Sequence, residues 1–416
     1  MPTLAFFLAM GGTPLFAVGM QSPTTGSLSG TLTDPTGAAI PGATVDVIRP
    51  GGEVEKSATS DADGHYVFNN LPEHAYRVRA SAKGFAQTTQ NVTIRAGMPQ
   101  VLDLTLAIGG VTTSVNVNAN TSDQVEPDPS SHTDIDQQLI ARLPVAQSSS
   151  GLSTLITLAS PGVSADSNGM FHPLGEHSDT TYSVDGQPIS DQQSKTFANQ
   201  LEMNAIASVQ VMDGVIPPEY GDKASLVAKT TTKSGLGTNG VHGSISAGYG
   251  SFGSPTGGFT LSAGHKNFGE FLALSGLRSG RFLDAPEFTP LHDRGNSESA
   301  FNRIDWQPRT SDSFQLNLTA ARSWFQQPNQ FDQPNQDQRQ QNKSFNISPM
   351  WTHIINDHTV LNTNAYVRQE RVAYYPSADP FDDSPATLSQ SRRLTNAGIK
   401  ADLSYVHGIH SFKGGV

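Results

Sequence analysis

The sequence has 416 residues, of which 36% are hydrophobic and 15% charged, with a formal net charge of -11. Soluble globular domains carry about 25% charged residues and nearly half apolar ones, so this composition suits a β-rich chain alternating small, polar and apolar side chains. The acidic balance argues against a nucleic-acid partner, which needs a basic face. The lack of cysteine excludes disulfides, thiolate metal ligands and thiol nucleophiles.

The start, MPTLAFFLAMGGTPLFAVGMQS, is apolar from Leu4 to Met20 but interrupted by Gly11, Gly12 and Pro14. It reads as an atypical secretory signal peptide over residues 1–20, since the first cation is Arg49. No run of about 18 uninterrupted apolar residues occurs, so no spanning helix is expected.

Residues 26–108 form one unit. GSLSGTLTDPTGAAIPGATVDVIRPGG gives strand, turn, strand, with Asp34-Pro35-Thr36-Gly37 and Ile40-Pro41-Gly42 as turn chemistry. ATSDADGHYVFNNLP, AYRVRASAKGFAQ and VTIRAG then supply short period-2 runs at β-sandwich spacing. Asp61-Ala62-Asp63-Gly64 opens like a calcium loop, but no Glu closes it at the required distance, so a structural turn is expected. GTLTDPTGAAIPGATV, SDADGHYVFNNLP and the Lys83-Gly84-Phe85 corner together resemble the carboxypeptidase regulatory-like domain. That resemblance implies a prealbumin-like accessory β-sandwich with a carbohydrate-binding-like fold, and no peptidase. None of the 12 His residues starts an H-x-x-E or H-E-x-x-H zinc motif.

Residues 109–131 begin with an alternating stretch, Val111 to Val117, and then turn polar and Pro-punctuated. Two readings stand: a strand that pairs with a partner's sheet edge, or a last sandwich strand followed by a tether. From residue 132 to 235 the pattern is mixed α/β. DIDQQLIARLP and GLSTLITLASPGV show helical spacing ended by Pro144 and by Pro161-Gly162. TTYSVDGQPI is a hairpin turning at Asp185-Gly186. A short helix around LEMNAIA, the strand SVQVMDG and EYGDKASLVAKTTTKSG follow. LP at Leu143, LASPGV, YSVDGQPI, Glu219-Tyr220-Gly221 and TTKSG resemble the plug domain of TonB-dependent outer-membrane receptors, particularly the Oar-like group. After the LP this chain has VAQSSS, where usual family members are more basic and aromatic.

The resemblance implies that Val111, Ser114, Val115, Asn116 and Val117 occupy the place of the TonB box, the energy-coupling segment. It implies that Asp185, Gly186, Glu219, Tyr220 and Gly221 are plug architecture rather than ligand contacts. The TonB complex of the inner membrane, outer-membrane lipid and an unknown ligand would then be the partners, with the N-terminal domain in the periplasm. No cofactor or metal is expected.

Residues 236–416 read as strands and loops. SFQLNLTAA sets Phe314, Leu316, Leu318 and Ala320 on one face, and GIKADLSYV sets Ile399, Ala401, Leu403 and Tyr405 on one face. Soluble sandwiches alternate in the same way, but strands of about ten residues with terminal aromatics suit a transmembrane β-barrel. Arg303-Ile304-Asp305-Trp306 and HSFKGGV also resemble Oar-like strands. The loop holding QPNQ twice, Phe325 to Ser344, reads as solvated and extracellular. About eight to twelve spans fit this length, whereas a folded plug needs a barrel of about 22 strands. The chain is therefore expected to be the N-terminal part of a longer receptor.

GYGSFG, residues 248–253, fits the G-x-G-x-x-G dinucleotide pattern. SPTGGFTLSAG follows it in place of a helix, and Glu270 lies in another strand, so the glycines are expected to turn the first barrel hairpin. No catalytic constellation emerges. The expected fold is mainly β: sandwich, α/β plug, then the incomplete start of an antiparallel transmembrane barrel. A secreted adhesin whose sandwich binds polysaccharide is the alternative function.

Overall fold

The computed structural model describes residues 25–49, 54–72, 74–94, 99–107, 132–145, 151–165, 171–173, 180–189, 198–213, 216, 218–220, 225–238, 240–265, 267–283, 291–309, 311–327, 333–356, 358–383, 388–407 and 410–416.

The first unit holds β1 (Thr25–Thr33), β2 (Thr44–Ile48), β3 (Val54–Thr59), β4 (His65–Pro72), β5 (His74–Ser81), β6 (Thr88–Ile94), β7 (Pro99–Val101) and β8 (Leu104–Thr105). β4-β1-β7, with β8 also on β1, forms one sheet, and β3-β2-β5-β6 the other. Period-2 alternation buries Leu28, Leu32, Val45, Val47, Tyr76 and Val78 between them, and this apolar burial drives sandwich formation. The turns behave as their residues dictate. Asp34 Oδ1 accepts from the backbone N–H of Thr36 and Ala38 at 2.8 and 2.9 Å, and Gly37 takes φ 86°. Asp61 Oδ1 accepts from the Asp63 and His65 N–H at 3.0 and 2.9 Å, so this carboxylate caps a turn.

The second unit holds β9 (His132–Ile135), α1 (Gln137–Arg142), α2 (Gly151–Ala159), β10 (Val163–Ala165), β11 (Phe171–Pro173), β12 (Thr180–Val184), β13 (Gln187–Ile189), β14 (Ile206–Asp213) and β15 (Leu226–Thr232). Its sheet runs β13-β12-β15-β14-β9, with β12 and β15 parallel. Asp136 caps α1 by accepting from the Leu139 N–H. Leu152, Leu155 and Ile156 of α2 pack on Val209, Val211 and Leu226. The helix expected around LEMNAIA is a single 3-10 turn, Met203–Ala205. The ladder with β15 claims the backbone from Ile206 onward, which leaves no length for a helix.

The third unit is a nine-stranded antiparallel meander: β16 (Gly240–Gly250), β17 (Ser254–His265), β18 (Phe268–Ser279), β19 (Gly295–Arg309), β20 (Asp312–Gln326), β21 (Arg339–Asn356), β22 (Thr359–Tyr375), β23 (Gln390–His407) and β24 (His410–Gly415). Most strands exceed the expected ten residues, because inter-strand pairing continues beyond the apolar stretch into polar, loop-proximal sequence. GYGSFG is the β16–β17 hairpin, with Phe252 and Gly253 at φ 60° and 62°. No helix follows it. The sheet is open, with β16 and β24 as its outer strands and no pairing between them among the described residues.

Candidate functional site: the interface between plug and sheet

The nine-stranded sheet buries the polar face of its central strands. Arg303 and Asp305 of β19, Asn317 and Ser323 of β20, Asn342 and Ser348 of β21, and Arg368 and Glu370 of β22 are all buried. The opposite face carries Ile245, Leu274, Trp306, Phe314, Ile347, Val367, Ile399 and Phe412 in exposed positions, with Ile245 84% and Ile399 79% exposed. Near the short turns an aromatic row crosses four strands in register, Phe268–Trp306–Phe314–Trp351. Trp306 and Phe314 stack at 5.4 Å between centroids, and Phe314 and Trp351 at 6.2 Å. The turns at this end are brief, for example 310–311, whereas the opposite end carries long connections at 280–294, 327–338 and 376–389. An apolar outer band with an aromatic rim and this loop asymmetry is the layout of a membrane barrel wall.

The second unit docks on the polar face, and its hairpin turn is the anchor. Asp185 and Gly186 both take positive φ, 48° and 88°, the geometry of a two-residue hairpin turn that Asp-Gly satisfies. That turn places the Asp185 carboxylate against the sheet. It accepts from the Thr232 N–H at 2.9 Å and the Thr232 hydroxyl at 2.6 Å. It also accepts from Gln315 Nε2 at 2.9 Å and Asn317 Nδ2 at 2.6 Å. Arg303 Nη1 lies 3.7 Å away. Arg303 forks onto Asp305, donating from Nε at 2.9 Å and Nη2 at 2.9 Å, and donates from Nη1 to the Thr232 carbonyl at 3.1 Å. The Ser234 hydroxyl closes the ring by donating to Asp305. Two carboxylates and one guanidinium leave one net negative charge, which the neutral donors stabilise.

Further polar links flank this centre. Gln187 and Asn346 exchange amide hydrogen bonds, both at 2.9 Å. The buried Glu202 accepts from Ser275 and Ser299 of the sheet and from Asn204 Nδ2 at 2.9 Å. Lys233, behind it, has its ammonium pushed below the usual lysine range by burial, partly offset by Glu202. Glu219 bonds Lys413 of β24 and lies 3.8 Å from Lys400 of β23. One apolar cluster, Ala205 with Phe271, Ala273 and Phe301, joins the two units. Past Thr232 the chain crosses β17 and β18 so closely that only glycine fits. A Cβ on Gly235 would sit 2.2 Å from the Glu270 carbonyl, and one on Gly264 2.0 Å from the Gly235 carbonyl.

Of the residues singled out from sequence, Asp185, Gly186, Glu219 and Tyr220 lie at or beside this interface. Gly221 and the stretch Val111, Ser114, Val115, Asn116 and Val117 lie outside the described residues, as does the signal-like start. Arg303, Asp305 and Asn317 were not identified as site residues from sequence. Arg303 and Asp305 carry a signal, a base and an acid two residues apart within a strand and hence on one face of it; Asn317 carries none.

Residues 27–107 match the family model of the carboxypeptidase regulatory-like domain. Sequence comparison with curated proteins gives no match. Among solved structures, the chain is similar to the alcaligin outer-membrane receptor FauA from Bordetella pertussis, with 14% identity and TM-score 0.54 over 69% of this chain and 45% of FauA. It is also similar to the FrpB iron transporter from Neisseria meningitidis, with 12% identity, TM-score 0.53, and 68% and 47% coverage. The ferric enterobactin receptor PfeA from Pseudomonas aeruginosa gives 13%, 0.51, and 66% and 46%. The chain spans less than half the length of each of these proteins. A carboxypeptidase regulatory-like domain thus precedes a plug and an open arc of barrel strands with the fold of the TonB-dependent outer-membrane receptors.

Proposed function

We propose that this chain acts as a TonB-dependent receptor in the outer membrane, taking up a ligand or binding it at the cell surface. The observation that carries the reading is the inverted polarity of the nine-stranded sheet: an apolar face turned outward and a polar face covered by a plug. Outer-membrane lipid is then the solvent of the outer face, and the long-loop end faces the cell exterior. The start, residues 1–20, serves export, and the sandwich domain works in the periplasm. The chain's work is binding and transport, with no reaction catalysed.

Val111, Ser114, Val115, Asn116 and Val117 engage the TonB complex. Force applied there reaches the plug through β9, the first described strand after that segment. Among the described residues β9 is an edge strand paired with β14 alone, over four register positions from His132 to Ile135, so tension on the chain before it meets a short ladder first. The plug–sheet contacts that must then yield are mostly hydrogen bonds, worth about 0.5–1.5 kcal/mol net each between neutral groups and about 1.5–3 kcal/mol where a charged group takes part. Asp185 and Gly186 at the anchor turn, and Glu219 and Tyr220 at the far side, serve plug architecture, as does Gly221. The ligand is selected by the loops at 280–294, 327–338 and 376–389.

Fractionation and heat-modifiable gel mobility test the proposal. The native product is expected in the outer-membrane fraction, migrating differently before and after boiling. Recovery as a soluble periplasmic protein with unchanged mobility overturns it.

A further inference from the structure

The outer face of the sheet carries a second pattern, which neither the plug contacts nor ligand transport uses. Four cations stand side by side across adjacent strands. Arg322 of β20 pairs with Lys343 of β21, Lys343 with Arg371 of β22, and Arg371 with Arg393 of β23. They share the outward face with the apolar band and follow it toward the long-loop end. On β20 the outward series is Phe314, Leu316, Leu318, Ala320, then Arg322. On β21, followed toward the same end, it is Ile347, Phe345, then Lys343. On β22 and β23, Gln369 and Thr395 intervene before Arg371 and Arg393, and Gln369 Nε2 donates to the Thr395 hydroxyl at 3.2 Å.

Lys343, Arg371 and Arg393 are exposed. One carboxylate stands in the row, Glu298 of β19, and Arg322 takes it at 3.0 Å. Arg371 Nε donates to the Ser391 hydroxyl at 3.0 Å. Like charges directly opposite one another destabilise a sheet, and Lys343, Arg371 and Arg393 are three such neighbours in succession. An external anion lying across them turns that repulsion into attraction, and the guanidinium fork matches phosphate geometry. The position fixes the source of the anion. Side chains just past the apolar band, on long stems, lie at the headgroup level of the leaflet on the long-loop side. Barrel strands tilt by about 40°, so the row climbs through the headgroup layer from Arg322 to Arg393 rather than lying in one plane.

We propose that Arg322, Lys343, Arg371 and Arg393 form a lateral binding ladder for the phosphorylated headgroups of anionic lipid in the outward-facing leaflet. The inference rests on the membrane-barrel reading above.

The test uses the full chain, first inserted into phosphatidylcholine vesicles to establish that it enters neutral lipid. The chain in neutral detergent micelles is then titrated with diphosphorylated lipid A, dephosphorylated lipid A and inorganic phosphate. Saturable binding of the phosphorylated lipid is expected, with weak binding of the dephosphorylated lipid and no competition from an equal concentration of phosphate. Lys343→Gln with Arg393→Gln is expected to weaken lipid binding roughly thirtyfold, and Arg371→Gln alone about fivefold, from the contribution of one basic residue near an anionic surface. Lys83→Gln, on the sandwich, is expected to change nothing. If the double variant does not enter neutral vesicles, the single variant decides. Equal binding by wild type and variants overturns the ladder, and full competition by phosphate overturns the assignment to lipid. Failure of the native product to fractionate with the outer membrane overturns the membrane reading itself.

Discussion

The sandwich and the nine-stranded sheet obey the same two-residue period and bury opposite faces. In the sandwich, Leu28, Val45 and Val78 are buried, while Asp46, Ser57 and Arg79 interact on the outer surface. In the sheet, Leu318 and Ile399 point outward while Asn317 and Arg303 are buried. Burial therefore does not identify the apolar face of a strand; the medium on each side does. The plug belongs with the sandwich, since it hides an apolar core of its own and offers a polar surface to the sheet. Its docking is consequently held, among the described residues, by hydrogen bonds, a shared guanidinium and the Glu219–Lys413 ion pair, with a small apolar contact, which suits a part that must move.

Charge placed on an inner apolar face breaks the comparison hardest. Val45→Asp sets an unpaired carboxylate in the fully buried sandwich core and is expected to cost about 4 kcal/mol or more. The sandwich should then unfold while vesicle insertion by the sheet persists, which tryptophan fluorescence reports, because Trp306, Trp324 and Trp351 all lie in the sheet. Joint loss of both signals would mean the two units are one cooperative block.

Arg303→Met is next. It removes the guanidinium from between Asp185 and Asp305 and leaves two buried carboxylates uncompensated, at a cost of about 3–5 kcal/mol. Protease cleavage within the plug should accelerate, and adding Asp185→Asn and Asp305→Asn should recover part of the loss. An unchanged cleavage rate in Arg303→Met would remove this network as the plug's anchor. Leu318→Arg follows, on the outward face. A cation near the middle of the apolar band is expected to weaken membrane insertion by about 2–4 kcal/mol while leaving sandwich stability unchanged, which urea titration in lipid vesicles measures.

Much of this architecture is legible in the sequence where a residue's local chemistry suffices. Asp185-Gly186 and Gly253 of GYGSFG declare turns because a positive φ favours Asp and Gly, whereas Phe252 at φ 60° takes a conformation that a bulky side chain disfavours. The alternation of SFQLNLTAA and GIKADLSYV declares strands. Alternation alone does not say which face meets water, since both solvents produce the same period. Strand length was underestimated because the ladder of β21, 18 residues long, runs past the apolar stretch that signals it. The site was the least legible part. Asp185 and Asn317 lie 132 residues apart, and no local signal links a hairpin turn to a strand that distant. The basic ladder is hidden for the same reason, because Arg322, Lys343, Arg371 and Arg393 become neighbours only once the register of four strands is known.

The smallest effect sharpens the comparison on the sandwich's wet side. Asp46 accepts from the Ser57 hydroxyl at 2.7 Å and from Arg79 Nη2 at 2.7 Å. Partial burial pushes its carboxyl upward, but the hydroxyl and the guanidinium outweigh that and hold it below its ordinary value of 3.8. A group depressed on folding contributes stability that is fully present above its unfolded pKa and lost as pH falls through its folded one. The loss here therefore begins below about pH 4 and amounts to less than about 1 kcal/mol, because solvent screens a partly exposed pair. Urea unfolding of the full chain, followed through the Val45 and Val78 methyl signals at about pH 6 and about pH 3, measures it. Asp46→Asn should flatten that difference by about the same amount. A variant whose acid sensitivity matches the wild type would show that the surface pair contributes nothing, leaving the apolar core alone to hold the two sheets together.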